Sequence, residues 1–182
     1  YMNFSIKNES RGMVVASTRP ELLFACQAVI VNPNDKRYAD VVGKRVAVPL
    51  FDKEVPVYAH HSARPEFGTG AVMVCSYGDQ NDVLLFRELG LKEIIATDIY
   101  GRTTVEAEPY ANLLIQEARA RIISDLKTYG FLQKTEEIMH RTPLCERSKT
   151  PVEIVPLQDY YLKQLECIPR LKQFAARLKF YP

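Results

Sequence analysis

The sequence predicts a mixed α/β domain, barrel-like, made of short strands with peripheral helices. Three features carry that expectation. The front two thirds alternate short β-rich runs with short helical patterns. Residues 111–129 keep one clear helical period. Beyond residue 130 the chain becomes extended and punctuated by proline. Hydrophobic residues make up 47% and charged residues 25% of the 182, the balance of an ordinary domain with a real core.

Residues 11–17 read as a strand. Pro20 at a first helical position, behind Thr18 as a cap, opens a short helix through Cys26. Residues 28–32 read as a buried strand that Pro33 stops. Residues 45–50 and 55–60 are strands around a turn at Asp52 and Lys53, and residues 71–76 form another β-rich run behind Gly68-Thr69-Gly70. Residues 80–89 have helical spacing and close on Gly90. Residues 94–99 read as a strand ending at Tyr100-Gly101. In 111–129, Leu114, Ala118, Ile122 and Leu126 recur every fourth position, and Gly130 ends the helix. Residues 131–140 look like a strand. Thr142-Pro143, Thr150-Pro151 and Val155-Pro156 then break up an extended stretch, and a last helical segment follows Pro169 to Lys179. The domain proper is expected at 1–140, with 141–182 a connection leaving it.

Composition excludes several classes. No apolar run is long enough to span a bilayer. The opening YMNFSIKNES lacks the basic start and apolar run of a signal peptide, and Tyr1 ahead of the first methionine suggests a piece of something longer. The net charge of +2 does not announce nucleic acid, so any RNA contact is local. Basic residues gather late, at Arg119, Arg121, Arg141, Arg147, Lys149, Arg170, Lys172, Arg177 and Lys179; solvated helix and loop surface is the favoured reading of each. Cys26, Cys75, Cys145 and Cys167 form no C-x-x-C pair, so neither a zinc site nor a disulfide framework is expected, and a reducing cytoplasm fits.

Two segments carry candidate chemistry. Ser17-Thr18-Arg19-Pro20-Glu21 sits at a strand end entering a helix, where hydroxyls, free N–H groups and an arginine make an anion cradle. The competing reading is a capped helix start with a surface arginine. The second runs from Pro65-Glu66-Phe67-Gly68-Thr69-Gly70 to Gly78-Asp79-Gln80-Asn81-Asp82. Its paired glycines let backbone approach a ligand closely. Asp79 and Asp82 share the first turn of a helix and together could grip an ammonium group and a hydroxyl; they could equally be an N-cap and a first-turn charge. His60, His61 and His140 have no evident partner, and no Ser-His-Asp or Cys-His arrangement is visible. Hydrolysis here would rest on positioning water and stabilising charge.

STRPELLFACQAVIVNPNDKRY, then GKRVAVPL, then PEFGTGAVMVCSYGDQND resemble, in order and spacing, the inserted editing domain of the valyl-type class I aminoacyl-tRNA synthetases, nearest to archaeal-type forms. CERSKTPVE at 145–153 resembles the family's return segment toward its catalytic body. Arg19 and Glu21 depart from the T-T-T-P-W-T of isoleucyl enzymes, and the residues after the GTG turn depart from leucyl enzymes. The resemblance implies a split-barrel fold and post-transfer editing, the hydrolysis of threonine wrongly attached to valine tRNA. It implies that Asp82 holds the α-amino group and Asp79 meets the side-chain hydroxyl. Ser17, Thr18 and Arg19, with Glu21, would face the tRNA 3′ end. Phe67, with Gly68, Thr69 and Gly70, would line the terminal adenosine or side-chain pocket. Met73 and Cys75 stand where bacterial-type forms carry lysine and threonine, so Cys75 is only a pocket candidate. No cofactor or metal is implied for editing. ATP and Mg serve the synthetic domain, whose H-I-G-H and K-M-S-K-S signatures this chain lacks. The implied partners are tRNA(Val) and the rest of the parent synthetase, in the cytoplasm. Alternatives are an editing domain of isoleucyl or leucyl type, or a non-catalytic module that docks the tRNA 3′ end.

Overall fold

The computed structural model describes residues 1–139 and 142–179. His140, Arg141 and the expected boundary between them lie outside the described residues. The strands are β1 (Met2–Ile6), β2 (Gly12–Val15), β3 (Cys26–Val31), β4 (Arg45–Ala47), β5 (Glu54–Ala59) and β6 (Ala71–Cys75). They form one mixed sheet in the order β2-β1-β4-β5-β3-β6, parallel only between β3 and β5. The two ends of that order, β2 and β6, also touch, so the twisted sheet curls into a half-barrel.

Period-2 patterning explains the inner wall. Met2, Phe4 and Ile6 of β1 turn inward, while Ser5 faces solvent. β3 is buried along its whole length on both faces, as the apolar run Ala28–Val31 requires, with Gln27 satisfied by Ser76 Oγ at 2.9 Å. One face meets the barrel core through Val29 and Val31, with Leu22, Leu23 and Phe24 from a 3-10 turn at Pro20–Ala25. The other face, Ala28 and Ile30 with Val74, meets a second core, where Tyr77, Leu85 and Phe86 bring in helix α1 (Gln80–Glu88). Helix α2 (Ile115–Thr128) buries Ala118, Ile122 and Leu126. Each of the latter two contributes about 1.5–3 kcal/mol of burial. Helix α3 (Ile168–Ala175) has no buried residue.

Several expected elements differ. Leu114 caps α2 rather than lying inside it; its N–H donates to Glu117 at 3.1 Å. The last helix ends at Ala175 and is preceded by a 3-10 turn at Leu165–Cys167. The strand expected at 94–99 is only a bridge at Thr97, because the Ile94 N–H goes to Ser76 Oγ at 2.9 Å and Asp98 ties the turn that follows. Of the strand expected at 131–140, the described residues 131–139 keep a bridge between Leu132 and Met2. β4 pairs with β1 at Ser5 and Ile6, so 131–133 can pair only at the start of β1.

Residues 143–152 make a hairpin, with Cys145 N–H donating to Thr150 O at 2.8 Å and Val152 N–H to Pro143 O at 3.1 Å. Through Ile154 this segment packs on the second core and so on the body of the fold.

Candidate active site

The residues leaving β2 run past the turn that enters β6 and, through Arg19, reach Gly78 beyond its exit. The turn Gly68-Thr69-Gly70 crosses the residues leaving β2 so closely that a Cβ on Gly68 (φ +58°) would stand 2.7 Å from Ala16 Cβ. Gly70 (φ +82°) is pressed against Arg37 and Pro65 in the same way. These glycines admit the chain's own neighbours, where a ligand was one reading of the sequence. The turn is tied down by Tyr38 OH donating to Thr69 O at 2.7 Å and by Arg37 bridging Asp35 (2.6 Å) and Pro65 O (2.8 Å). Phe67, 63% exposed, stands at its crown with one apolar face open.

Both candidate carboxylates lie in the first turn of α1. Asp79 is its N-cap, with Oδ1 accepting from Asp82 N–H at 2.8 Å. Asp82 folds back toward the end of β6, where its Oδ1 accepts from Cys75 N–H at 3.3 Å. Gly78 makes room for it, since a Cβ there would lie 2.0 Å from Asp82 Oδ2. Burial first, and then the Asp79 charge, push the Asp82 carboxyl up to about 7. The Cys75 N–H and Arg19 oppose that rise. A cationic ligand would favour the ionised form, so Asp82 is suited to an ammonium group.

Arg19 is placed differently from the expected open cradle. Its Nε donates to Glu21 Oε1 (3.0 Å), Nη1 to Gly78 O (2.9 Å) and Nη2 to Glu153 Oε2 (2.5 Å). Burial works against its charge, but Glu153 and then Glu21 outweigh it and raise its pKa. The guanidinium faces inward and is neutralised by the chain's own carboxylates. Ser17 Oγ accepts from Arg19 N–H at 3.0 Å, which fixes the backbone there, and Thr18 is half-buried beside it. Glu21 is 3% exposed; its Oε2 accepts no hydrogen bond and lies 3.7 Å from Arg119 Nη1. The result is a charge chain, Arg119–Glu21–Arg19–Glu153, behind Gly78.

Cys75 does not line the site with its thiol. It is buried, Sγ against Leu22 O at 3.4 Å, and burial pushes the thiol far up. Only its backbone N–H serves, through Asp82. Glu153 and Arg119 were seen in the sequence only as part of a motif and of a basic cluster. Nothing in local spacing pairs residues so distant in the chain.

His60, expected to lack a partner, bridges Ser62 Oγ (2.7 Å) and Glu88 (3.3 Å). Its Nδ1 also accepts from Ser62 N–H at 3.2 Å, so the lone pair that would activate Ser62 closes a turn instead. A concavity of about 700 Å³ between Phe51, Tyr110 and Tyr129 holds none of the predicted residues. Its titratable pair is internally satisfied, with Tyr110 OH on Asp125 at 2.7 Å. The chemistry therefore points to the β6 exit. Among the described residues no group of three or more His, Cys, Asp or Glu is placed to hold a metal, and no helix is long and apolar enough to cross a membrane.

No family model matches the chain. Relatives match it over its full length. A valine–tRNA ligase of Nanoarchaeum equitans is 45% identical over 182 residues, 100% of this chain and 24% of that protein. Those of Aeropyrum pernix (41%, 22% of that protein) and Methanocaldococcus jannaschii (40%, 21% of that protein) also match over 100% of this chain. The chain thus spans about a quarter or less of their length. The fold is shared with the LeuRS of Agrobacterium radiobacter K84, solved as a ternary complex with tRNA and LeuAMS. The TM-score is 0.54 at 20% identity, covering 70% of this chain and 18% of that one. Matched from end to end by these enzymes, the chain belongs to the valine–tRNA ligase family as one segment of its length.

Proposed function

We propose that this segment is the editing domain of a valine–tRNA ligase and hydrolyses threonine from mischarged valine tRNA. The observation that carries the reading is the Asp82 carboxylate, drawn back over Gly78 at the β6 exit with a pKa of about 7. The α-ammonium of an aminoacyl ester would supply the cation this group lacks and hold it ionised. Asp79 spends one oxygen on the helix cap; a carboxylate has about four acceptor positions, so it can also take a substrate hydroxyl. Threonine offers that hydroxyl and valine does not, so valine leaves the acceptor unpaired and binds less well.

The need for such a site follows from pocket physics. A hydrophobic pocket rejects an isostere that adds a hydroxyl by only roughly 100-fold, a ratio for which valine–tRNA ligases facing threonine are the standard instance. An aminoacyl ester is already activated. Positioning a water beside it and holding its ammonium require no covalent nucleophile. Phe67 would stack on the terminal adenosine, a sequence-tolerant platform. Residues 1–140 form the editing unit in this reading. Residues 141–182 lead toward the synthetic body, where ATP and Mg would act; the editing step uses no cofactor.

The reading is tested by titrating the chain with non-hydrolysable threonyl- and valyl-adenosine analogues. Threonyl binding at least ten-fold tighter, lost in Asp82→Asn, is the expected result, on the order of what one hydrogen bond to a charged carboxylate supplies. Equal affinity for both analogues would rule out threonine selectivity at this site.

A further inference from the structure

We infer that Glu153, on the returning segment, is a positioning residue of this site: it clamps Arg19 against Gly78 and so fixes the turn that carries Asp79 and Asp82. The inference rests on reading the site as a deacylation centre.

Arg19 ties three pieces of chain together. Its own 3-10 turn holds Nε through Glu21, the β6–α1 turn holds Nη1 through Gly78 O, and the returning segment holds Nη2 through Glu153. A planar guanidinium is fixed in orientation only when donors on more than one edge are engaged. Without Glu153, Nε on Glu21 and Nη1 on the neutral Gly78 carbonyl remain, and the shortest of the charge-assisted contacts that set the plane is lost. Glu153 is the partner that pulls the outer edge, and its side chain is only 19% exposed.

The carboxylate is delivered by packed backbone. The hairpin is closed by the pairing of Leu144 with Pro151. Glu153 follows it, and Ile154 then packs on the core that contains Leu85 and Phe86 of α1. The same helix begins at Asp79 and Asp82. The returning segment thus packs on the core that α1 shares and, through Arg19, holds the turn from which α1 starts. The Gly78 carbonyl that Arg19 holds belongs to the residue whose missing side chain makes room for Asp82. Releasing Arg19 frees that turn and lets Asp82 drift.

The test compares wild type, Glu153→Ala, Glu153→Asp and Glu146→Gln, the last an exposed hairpin carboxylate that serves as control. Single-turnover deacylation of Thr-tRNA(Val) is followed alongside the Arg19 Nη–H signals by ¹⁵N NMR. Glu153→Ala should lower the saturating rate by about 10- to 100-fold, the cost of a misplaced reacting group, with half-saturation nearly unchanged. Glu153→Asp should recover part of the rate, and Glu146→Gln should match wild type. The Arg19 Nη–H signals should be protected in wild type and exchange rapidly in Glu153→Ala. An unchanged or faster rate in Glu153→Ala would overturn the inference and make Glu153 a dispensable or obstructing counter-ion. So would an Arg19 signal that stays protected. If wild type deacylates nothing, the editing reading fails on its own, and the Arg19 signal still decides whether Glu153 holds the clamp.

Discussion

Gly78→Ala isolates the geometry of Asp82 from the stability of the fold. Gly78 has no positive φ, so alanine fits its backbone. The new Cβ would lie 2.0 Å from Asp82 Oδ2, against 3.4 Å for ordinary contact, so the oxygen must move by about 1.4 Å (3.4 − 2.0). Leu22 Cδ1, already 3.4 Å from the same Cβ, closes one direction of escape. Because the clash is with the end of a side chain, the fold should lose about 1 kcal/mol or less. A displacement of that size at a group holding the substrate should cost about 100-fold in rate. Gly90→Ala is the counterpart. Its Cβ meets nothing within 4 Å, but φ is +61°, so it should cost about 1 kcal/mol of stability and no activity. Thermal unfolding and deacylation of Thr-tRNA(Val), measured on both variants, give the comparison. A Gly78→Ala protein with wild-type deacylation would refute the placement of Asp82 at the centre of the site.

Other outcomes follow from the same groups. The Asp82 carboxyl is raised from 3.8 to about 7 in the folded chain, so the native state binds its proton more tightly. That contribution to stability is full below about pH 3.8 and is lost as pH rises through about 7. Asp82→Asn should therefore gain stability above pH 7, by a few kcal/mol at most, while losing deacylation; denaturant melts at several pH values check this. For wild type, kcat/KM should fall below about pH 7 as the free carboxylate is protonated, and a flat profile across pH 5–8 would remove Asp82 from binding. Asp79→Asn keeps an N-cap side chain but loses the charge, so it should erode threonine-over-valine selectivity with little change in stability, whereas Asp79→Ala should also cost about 1 kcal/mol. Thiol titration of the native chain should modify Cys167 and Cys145 but not Cys26 or Cys75, which react only on unfolding.

Local order was legible in the sequence where one face is apolar. β3, β6, α1 and the Ala118–Ile122–Leu126 stripe of α2 were all readable from period or from continuous runs. β1 carries the same signal, with Met2, Phe4 and Ile6 alternating, but its five residues were weighed as a possible leader rather than as a strand. The apolar runs at 94–99 and 131–140 misled in the opposite sense, since β-rich composition cannot say whether a sheet edge is free. β4 and Ser76 had taken the pairing positions. Asp79 and Asp82, singled out on one segment of the sequence, lie together at the start of α1, and Arg19 from the other segment reaches Gly78 beside them. The inward turn of Arg19 was not legible, because its partners Gly78 and Glu153 are distant in the chain and charge pairing across such separation leaves no periodic trace. Cys75 failed as a pocket residue for a related reason: on a strand buried on both sides, neither face is free for a ligand.

The most direct test of the account is the hydrolysis of Thr-tRNA(Val) beside Val-tRNA(Val) by the chain at high concentration, with Asp82→Asn as control. Selective release of threonine, at least ten-fold over valine and abolished in Asp82→Asn, is the result predicted. Equal hydrolysis of both esters, or full activity in Asp82→Asn, would contradict it.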